Sequence, residues 1–219
     1  RGSCAPGRPG ALTGLMPVAR REELGEALYT WAVRLGRYRP RTFAHRSWLR
    51  RAAVAVVLRD GPDGVEVLLA ERAVAAGDRW SGHVAFPGGL AARGDVDALA
   101  TAVRETQEET GLDLAVAARP IGALSELVTA SHRSLAPLVV APRVFALVGP
   151  ADLSLGAELT RAHWVGLAGI ARARRPRSRL GRSLGWFSPR GGVPVAWKRG
   201  RPAPWGEASS VGEVDPDER

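Results

Sequence analysis

Three glutamates fall on one flank of a short helix in this chain, and few arrangements of a sheet and a helix can accommodate them. The segment from Asp97 to Thr110 has a helical pattern, and Gly111 is placed to cap its C-terminal end. With about 3.6 residues per turn, Glu105, Glu108 and Glu109 share one flank of the helix. A separate, mostly apolar stripe comprises Leu99, Val103, Thr106 and Thr110. The pattern predicts a helix with an acidic side and a dry side that packs against a sheet.

The acidic flank has a structural cost that a divalent cation would offset. Like charges three and four residues apart destabilise a helix by about 0.2–0.5 kcal/mol per pair. Mg²⁺ takes hard oxygen ligands and keeps several waters, which suits a few carboxylates in an open site that also admits phosphates. Arg104 lies close to Glu108 on the helix surface, where it can hold a carboxylate or neutralise part of the cluster. Taken alone, the same pattern also fits a solvated acidic face without any ligand.

A glycine turn precedes this helix and favours the ligand-binding interpretation. The segment Phe86-Pro87-Gly88-Gly89 follows a short predicted strand. Two consecutive glycines permit positive φ angles and let main-chain N–H groups approach an anion closely. The sequence therefore places a phosphate-binding turn beside the acidic helix.

Together the turn and the helix resemble the Nudix box, Gly-x5-Glu-x7-Arg-Glu-U-x-Glu-Glu-x-Gly-U, where U is a bulky apolar residue. Gly89 matches the leading glycine, and residues 104–112 match the second half except for Thr106 at an apolar position. Asp95 replaces the first glutamate, and eight rather than seven residues separate it from Arg104.

The resemblance implies an α/β fold, a Nudix-type α/β/α sandwich with a mixed sheet. It also implies hydrolysis, dependent on Mg²⁺ or Mn²⁺, of a nucleoside diphosphate linked to another moiety. On the matching positions, Glu105, Glu108 and Glu109 would be the metal ligands, and Glu105, Glu108 and Arg104 the catalytic residues. The general base stays open between a helix glutamate and a loop residue such as Glu126 or Glu158.

A second, narrower resemblance points to the coenzyme A diphosphatase branch of that family. Leu68-Leu69-Ala70-Glu71-Arg72-Ala73, followed by Gly82-x3-Phe86-Pro87-Gly88-Gly89, is similar to its signature Leu-Leu-Thr-x-Arg-Ser/Ala-x3-Arg-x3-Gly-x3-Phe-Pro-Gly-Gly. Ala70 replaces the threonine, and the interval from Arg72 to Gly82 is one residue longer. The substrate-binding residues that this resemblance implies are Arg72, Arg79, Phe86, Gly88 and Gly89. A broader pyrophosphatase for ADP-ribose, nucleotide sugars or dinucleotides is the alternative within the same class.

The rest of the chain divides by composition into four parts. Residues 1–19 are predicted to be disordered or foreign to the native chain, and residues 20–51 to form a leading helix and a connector. Residues 52–174 would form the Nudix hydrolase domain, and residues 175–219 a basic, Gly/Pro-rich, largely irregular tail. The predicted strands are residues 52–58 and 65–70, joined as a hairpin, and then 84–86, 121–128, 138–148 and 162–167.

The positive charge of the chain is local. Residues 172–206 contain ten Arg or Lys and no Asp or Glu, whereas the whole chain has a net charge of +9 from 31 basic and 22 acidic residues. A nearly neutral body does not favour a domain that tracks a nucleic-acid backbone, although the tail could bind RNA through phosphates. An RNA-binding protein on a non-catalytic Nudix scaffold is therefore the alternative from a different class.

Other sequence features bear on the cellular location and the partners of the protein. No apolar run approaches the ~18 residues that span a bilayer, and a single cysteine, Cys4, leaves no intramolecular disulfide. We expect a cytoplasmic protein with a small-molecule nucleotide substrate and no membrane partner; a homodimer stays open. His83 and His132 lie near the expected site loops and are weaker candidates for phosphate contact.

Overall fold

Ten strands and four helices occur in the computed structural model, which describes residues 20–43, 49–74, 82–129, 137–172, 197–198 and 209–213. The strands are β1 (Arg50–Gly61), β2 (Gly64–Arg72), β3 (His83–Ala85), β4 (Gly88–Leu90), β5 (Ala118–Ala123), β6 (Leu127–Thr129), β7 (Leu138–Leu147), β8 (Leu159–Gly166), β9 (Trp197–Lys198) and β10 (Ser209–Glu213). The helices are α1 (Glu26–Arg37), α2 (Ala98–Thr110), α3 (Leu114–Ala117) and α4 (Leu167–Arg172). None of the helices in these ranges is long and apolar enough to cross a membrane.

The strands join into one mixed sheet whose long members run in the order β10-β8-β2-β1-β7-β5. β1 and β7 are parallel, and the other described pairs are antiparallel. β1 is a central strand of this sheet. Its C-terminal end pairs with β2, and its residues Ala52–Val54 pair with β4. The short strand β4 is thereby fixed beside the centre of the sheet.

The hairpin predicted from the turn residues is confirmed. Gly61 pairs with Gly64, which leaves Pro62 and Asp63 as the two-residue turn between β1 and β2. Gly64 has a φ of 119°, a conformation that glycine adopts without strain. Local turn chemistry therefore sets the register of these two strands.

Each face of the sheet carries its own apolar core, as alternating side chains require. On one face Val56 and Leu58 pack with Leu28 of α1, and Ile170 of α4 lies against the same cluster. On the other face, small strand residues and Trp164 pack with Ala102 of α2. Helices thus cover both faces, and the predicted α/β/α sandwich with a mixed sheet is confirmed.

Two segments differ from the strand pattern expected from the sequence. The single strand predicted over residues 121–128 is two strands, β5 and β6, because the chain between them turns toward the connector after α1. There the Glu126 N–H donates to Arg41 O, and Tyr38 and Ser125 share a hydroxyl hydrogen bond of 2.6 Å. In the tail, expected to be largely irregular, β9 pairs with β3 and β10 pairs with β8.

The loop between β4 and α2 is anchored to the helix by Asp95. Its side chain is 8% exposed, and its two oxygens accept hydrogen bonds from the Arg104 guanidinium at 3.1 and 2.9 Å. The same carboxylate accepts from the Ala92 N–H and the Thr101 hydroxyl. Above all Arg104, and then the Ala92 N–H, hold the pKa of Asp95 well below its usual range. An aspartate separated from Arg104 by eight residues can therefore still pair with it.

We expect Asp95→Asn to lower the free energy of unfolding by about 1–2 kcal/mol near neutral pH, because Arg104 loses the charged partner that accepts two of its hydrogen bonds. The folded-state pKa of Asp95 is depressed, so its contribution is fully present above the usual Asp pKa of about 3.9. The advantage of the wild type should shrink as pH falls below that value, since the unfolded chain takes up the proton first. Urea denaturation across this pH range measures both effects.

Asp63→Asn is the matched control, because Asp63 is an exposed residue of the hairpin turn. An Asp95→Asn protein as stable as this control near neutral pH would contradict the anchoring role.

Candidate functional site

The three glutamates of α2 do not share one environment. The side chains of Glu105 and Glu109 are 17% and 12% exposed, whereas that of Glu108 is 58% exposed. Thr106 and Thr110 of the predicted dry side are buried. The expected separation into a dry side and an acidic side is therefore wrong for two of the glutamates, which lie on the face of α2 that packs on β4 and the sheet.

The glycine turn is what allows these carboxylates to approach the sheet. The Gly88 N–H donates to Glu109 Oε2 at 2.9 Å, and Gly88 has a φ of 148°. A Cβ atom on Gly88 would lie 2.3 Å from the Ala53 carbonyl oxygen, and one on Gly89 would lie 2.4 Å from Glu105 Oε2. A side chain at position 88 would clash with the backbone of β1, so glycine is required there on steric grounds, whereas a side chain at position 89 would displace the Glu105 carboxylate.

Two arginines balance the acidic pair from opposite sides. Arg104 Nη1 lies 2.8 Å from Glu105 Oε1 and 3.0 Å from Glu108 Oε2, and Arg104 Nη2 donates to the Leu90 carbonyl. Arg72, at the end of β2, lies 4.0 Å from Glu109 Oε1 and 3.4 Å from Glu158 Oε2. Glu158 thereby joins the site from the segment that precedes β8, and its side chain is 71% exposed.

Burial raises the pKa of Glu109 to about 7. The hydrogen bond from the Gly88 N–H opposes this shift in pKa, while the negative charge of Glu105 adds to it. Arg72 lowers the pKa and Glu158 raises it by smaller amounts. A cation placed between Glu105 and Glu109 would favour the ionised form of Glu109.

The donor chemistry of the site fits a hard divalent cation, although its side chains are engaged in ion pairs. Carboxylate oxygens of Glu105, Glu108, Glu109 and Glu158 are the type of ligand that Mg²⁺ and Mn²⁺ prefer. Across the described ranges, no three acidic, histidine or cysteine side chains converge as a ready-made metal site. A cation would therefore have to draw carboxylates away from Arg72 and Arg104.

The other candidates from the sequence are distributed as follows. Phe86 is half-buried and packs against the core on the α1 face, and His83 lies in β3. Arg79 and His132 lie outside the described residues. Glu126, one of the two loop candidates for the base, is buried, accepts a hydrogen bond of 2.6 Å from the Phe43 N–H and pairs with Arg51.

One residue of interest was missed by the sequence reasoning. Arg143 lies in β7 between Ala141 and Phe145, which face the α2 side and are buried. It lines a cavity of about 780 Å³ beside the N-terminal end of α2. The sequence does indicate this residue: side chains alternate along a strand, so Arg143 is a charged residue on the same buried face as Ala141 and Phe145.

Comparison with curated proteins gives two relatives. An uncharacterized protein of Schizosaccharomyces pombe is 41% identical over 107 residues, which are 48% of this chain and 32% of that protein. Nudix hydrolase 15, mitochondrial, of Arabidopsis thaliana is 45% identical over 65 residues, 29% of this chain and 22% of that protein. The matched segments span about a third or less of the length of these relatives.

Solved structures with similar folds include a C. elegans Ap4A hydrolase in a binary complex, with 22% identity, a TM-score of 0.41 and coverage of 53% of this chain and 79% of that one. They also include the NUDIX domain of Shewanella oneidensis NrtR complexed with ADP ribose, with 20% identity, a TM-score of 0.45 and coverage of 64% and 84%. The NUDIX domain family model matches residues 49–181. Because that match covers more than half of the 219 residues, the chain belongs to the NUDIX domain family.

Proposed function

We propose that this chain is a divalent-cation-dependent pyrophosphohydrolase that cleaves the diphosphate of coenzyme A or of a related nucleoside diphosphate derivative. The observation that carries the proposal is the pair Glu105 and Glu109, two like charges largely buried against a glycine turn. Burial of two carboxylates side by side costs free energy, and a divalent cation bound to both would offset that cost. A site that binds a cation and substrate phosphates would therefore explain why the two carboxylates are buried together.

In this proposal Glu105, Glu108 and Glu109 bind Mg²⁺ or Mn²⁺, which when bound polarises the diphosphate and lowers the pKa of an attacking water. Arg104 positions Glu105 and Glu108 through its contacts with both. Arg72 is poised to receive a phosphate oxygen, because its guanidinium already reaches Glu109 and Glu158.

Glu158 is the general base that we propose. It is largely exposed and shares Arg72 with Glu109, so its carboxylate borders the proposed cation site. Glu126 is a poorer candidate, because its oxygens already accept from Phe43 and Arg51 in a buried setting. An accessible carboxylate next to the site can take a proton from an attacking water.

The narrower substrate assignment is supported by where the second signature lies. Residues 68–73 run along β2 to Arg72, and residues 82–89 form β3, the glycine turn and the start of β4. β3 pairs with the end of β2, and one residue from each half of the signature, Arg72 and Gly88, contacts Glu109 of the acidic helix. Arg72, Gly88, Gly89, Phe86 and Arg79 remain the proposed substrate-binding residues.

A substrate panel tests this assignment directly. We expect the purified protein with Mg²⁺ to cleave coenzyme A into 3′,5′-ADP and 4′-phosphopantetheine, and to act less efficiently on ADP-ribose, NADH and dinucleoside polyphosphates. Chromatography of the products measures each reaction. Cleavage of another compound with coenzyme A inert would favour the broader pyrophosphatase, and no turnover of any compound would contradict the enzyme.

Glu109→Gln should reduce turnover by about 100-fold or more, because it removes a proposed cation ligand. Without Mg²⁺ its Tm should equal or exceed that of the wild type, since the substitution relieves the burial of one of two like charges. The rise in Tm that bound Mg²⁺ gives the wild type should be lost. Glu22→Gln, an exposed site before α1, is the matched control. A Glu109→Gln protein that keeps both turnover and the Mg²⁺-dependent rise in Tm would refute the ligand assignment.

Glu158→Gln should distinguish the role of the proposed general base from that of the proposed cation ligands. We expect kcat to fall by about 10²- to 10⁴-fold, as for loss of a general base. The Mg²⁺-dependent rise in Tm should remain, because three other glutamates stay in place. Measuring kcat and Tm for the same preparation checks both expectations, and an unchanged kcat would exclude Glu158 as the base.

A further inference from the structure

A cleft of about 780 Å³ opens on the α2 face of the sheet, at the N-terminal end of that helix. Its floor includes Arg51 from β1 and Arg143 from β7, and its walls include Thr101 of α2 and Glu126. Volumes of about 300–1,000 Å³ are typical of sites that enclose a small molecule. The cleft is therefore large enough for a nucleotide-sized ligand.

Among the arginines that line this cleft, Arg143 is partly buried and has no acceptor among the described residues, whereas Arg50 and Arg93 are exposed to solvent. Within the described ranges, no hydrogen bond or ion pair engages its guanidinium; Glu126 and Asp97 act on it only through space. Those two carboxylates already accept hydrogen bonds, Glu126 from Phe43 and Arg51, and Asp97 from the Ala100 N–H. Neither the Glu126 nor the Asp97 carboxylate therefore accepts a hydrogen bond from Arg143.

The surroundings of Arg143 also exclude much of the water that would otherwise solvate it. Burial lowers the pKa of Arg143, and the charge of Arg51 lowers it further, while Glu126 and Asp97 raise it. A guanidinium that is desolvated without hydrogen-bond acceptors costs free energy. An anionic ligand with acceptor oxygens would recover that cost, because a guanidinium binds phosphate through two parallel hydrogen bonds.

The cleft is continuous with the acidic site along the chain. Thr101 lies one helical turn before Glu105, a rise of about 6 Å. Leu90, which also lines the cleft, directly follows Gly89, whose position abuts the Glu105 carboxylate. A molecule whose diphosphate lies at Glu105 and Glu109 can extend from there into the cleft.

We propose that this cleft binds the part of the substrate beyond the scissile diphosphate, and that Arg143 receives a phosphate monoester on that part. The proposal rests on the hydrolase function proposed above and narrows its substrate class to nucleotides that carry an additional phosphate. Coenzyme A belongs to this class through the phosphate on its ribose, whereas ADP-ribose and NADH do not.

Binding without turnover tests the proposal on the full chain in Mg²⁺. By calorimetry, 3′,5′-ADP should bind the wild type at least about tenfold more tightly than 5′-AMP, because only the former brings the extra phosphate. Arg143→Gln should bind the two nucleotides with similar Kd values. Arg143→Lys should keep part of the preference, since it keeps the charge but not the paired donors. Arg37→Gln, on the exposed end of α1, is the control and should behave as the wild type.

Arg143 could instead only neutralise the negative charges of Glu126 and Asp97 within the fold. In that case Arg143→Gln would lower the Tm of the ligand-free protein and weaken the binding of both nucleotides equally, which would overturn the proposal. We expect instead a ligand-free Tm equal to or above that of the wild type. A wild type that binds both nucleotides equally would also overturn it. An inactive wild type that still prefers 3′,5′-ADP would reject the hydrolase while supporting the phosphate site.

Discussion

The close approach of α2 to the glycine turn is the contact on which the rest of the structure depends. Gly88 donates its N–H to Glu109, and neither Gly88 nor Gly89 has space for a Cβ atom. Because β4 pairs with β1, this contact fixes the acidic helix against the centre of the sheet. The apolar core between α2 and the sheet then holds two carboxylates where water has limited access.

Arginines make this concentration of negative charge tolerable in the folded protein. Arg104 is fixed by Asp95 on one side and contacts Glu105 and Glu108 on the other, and Arg72 bridges toward Glu109 from β2. Like charges at such spacing on one helix would otherwise repel each other. These ion pairs therefore connect the proposed cation ligands to the loop before α2 and to β2.

Sequence reasoning succeeded where the determining interactions are local. The helix over residues 97–110, its end at Gly111 and the turn between β1 and β2 follow from neighbouring residues. It failed where distant segments meet: the wheel of α2 could not show that β4 would bury Glu105 and Glu109, and periodicity could not divide β5 from β6. The charge of Arg143 at an inward-facing position was readable, but the cleft that it lines joins several elements.

The proposed function requires Glu105 and Glu109 to bind a divalent cation beside the glycine turn. A crystal structure of the protein soaked in Mn²⁺, with anomalous scattering recorded to locate the ion, would show whether they do. We expect one Mn²⁺ bonded at about 2.1 Å to carboxylate oxygens of both residues, with longer distances from these oxygens to Arg72 and Arg104. Mn²⁺ elsewhere, with both glutamates still paired to their arginines at saturating ion, would contradict it.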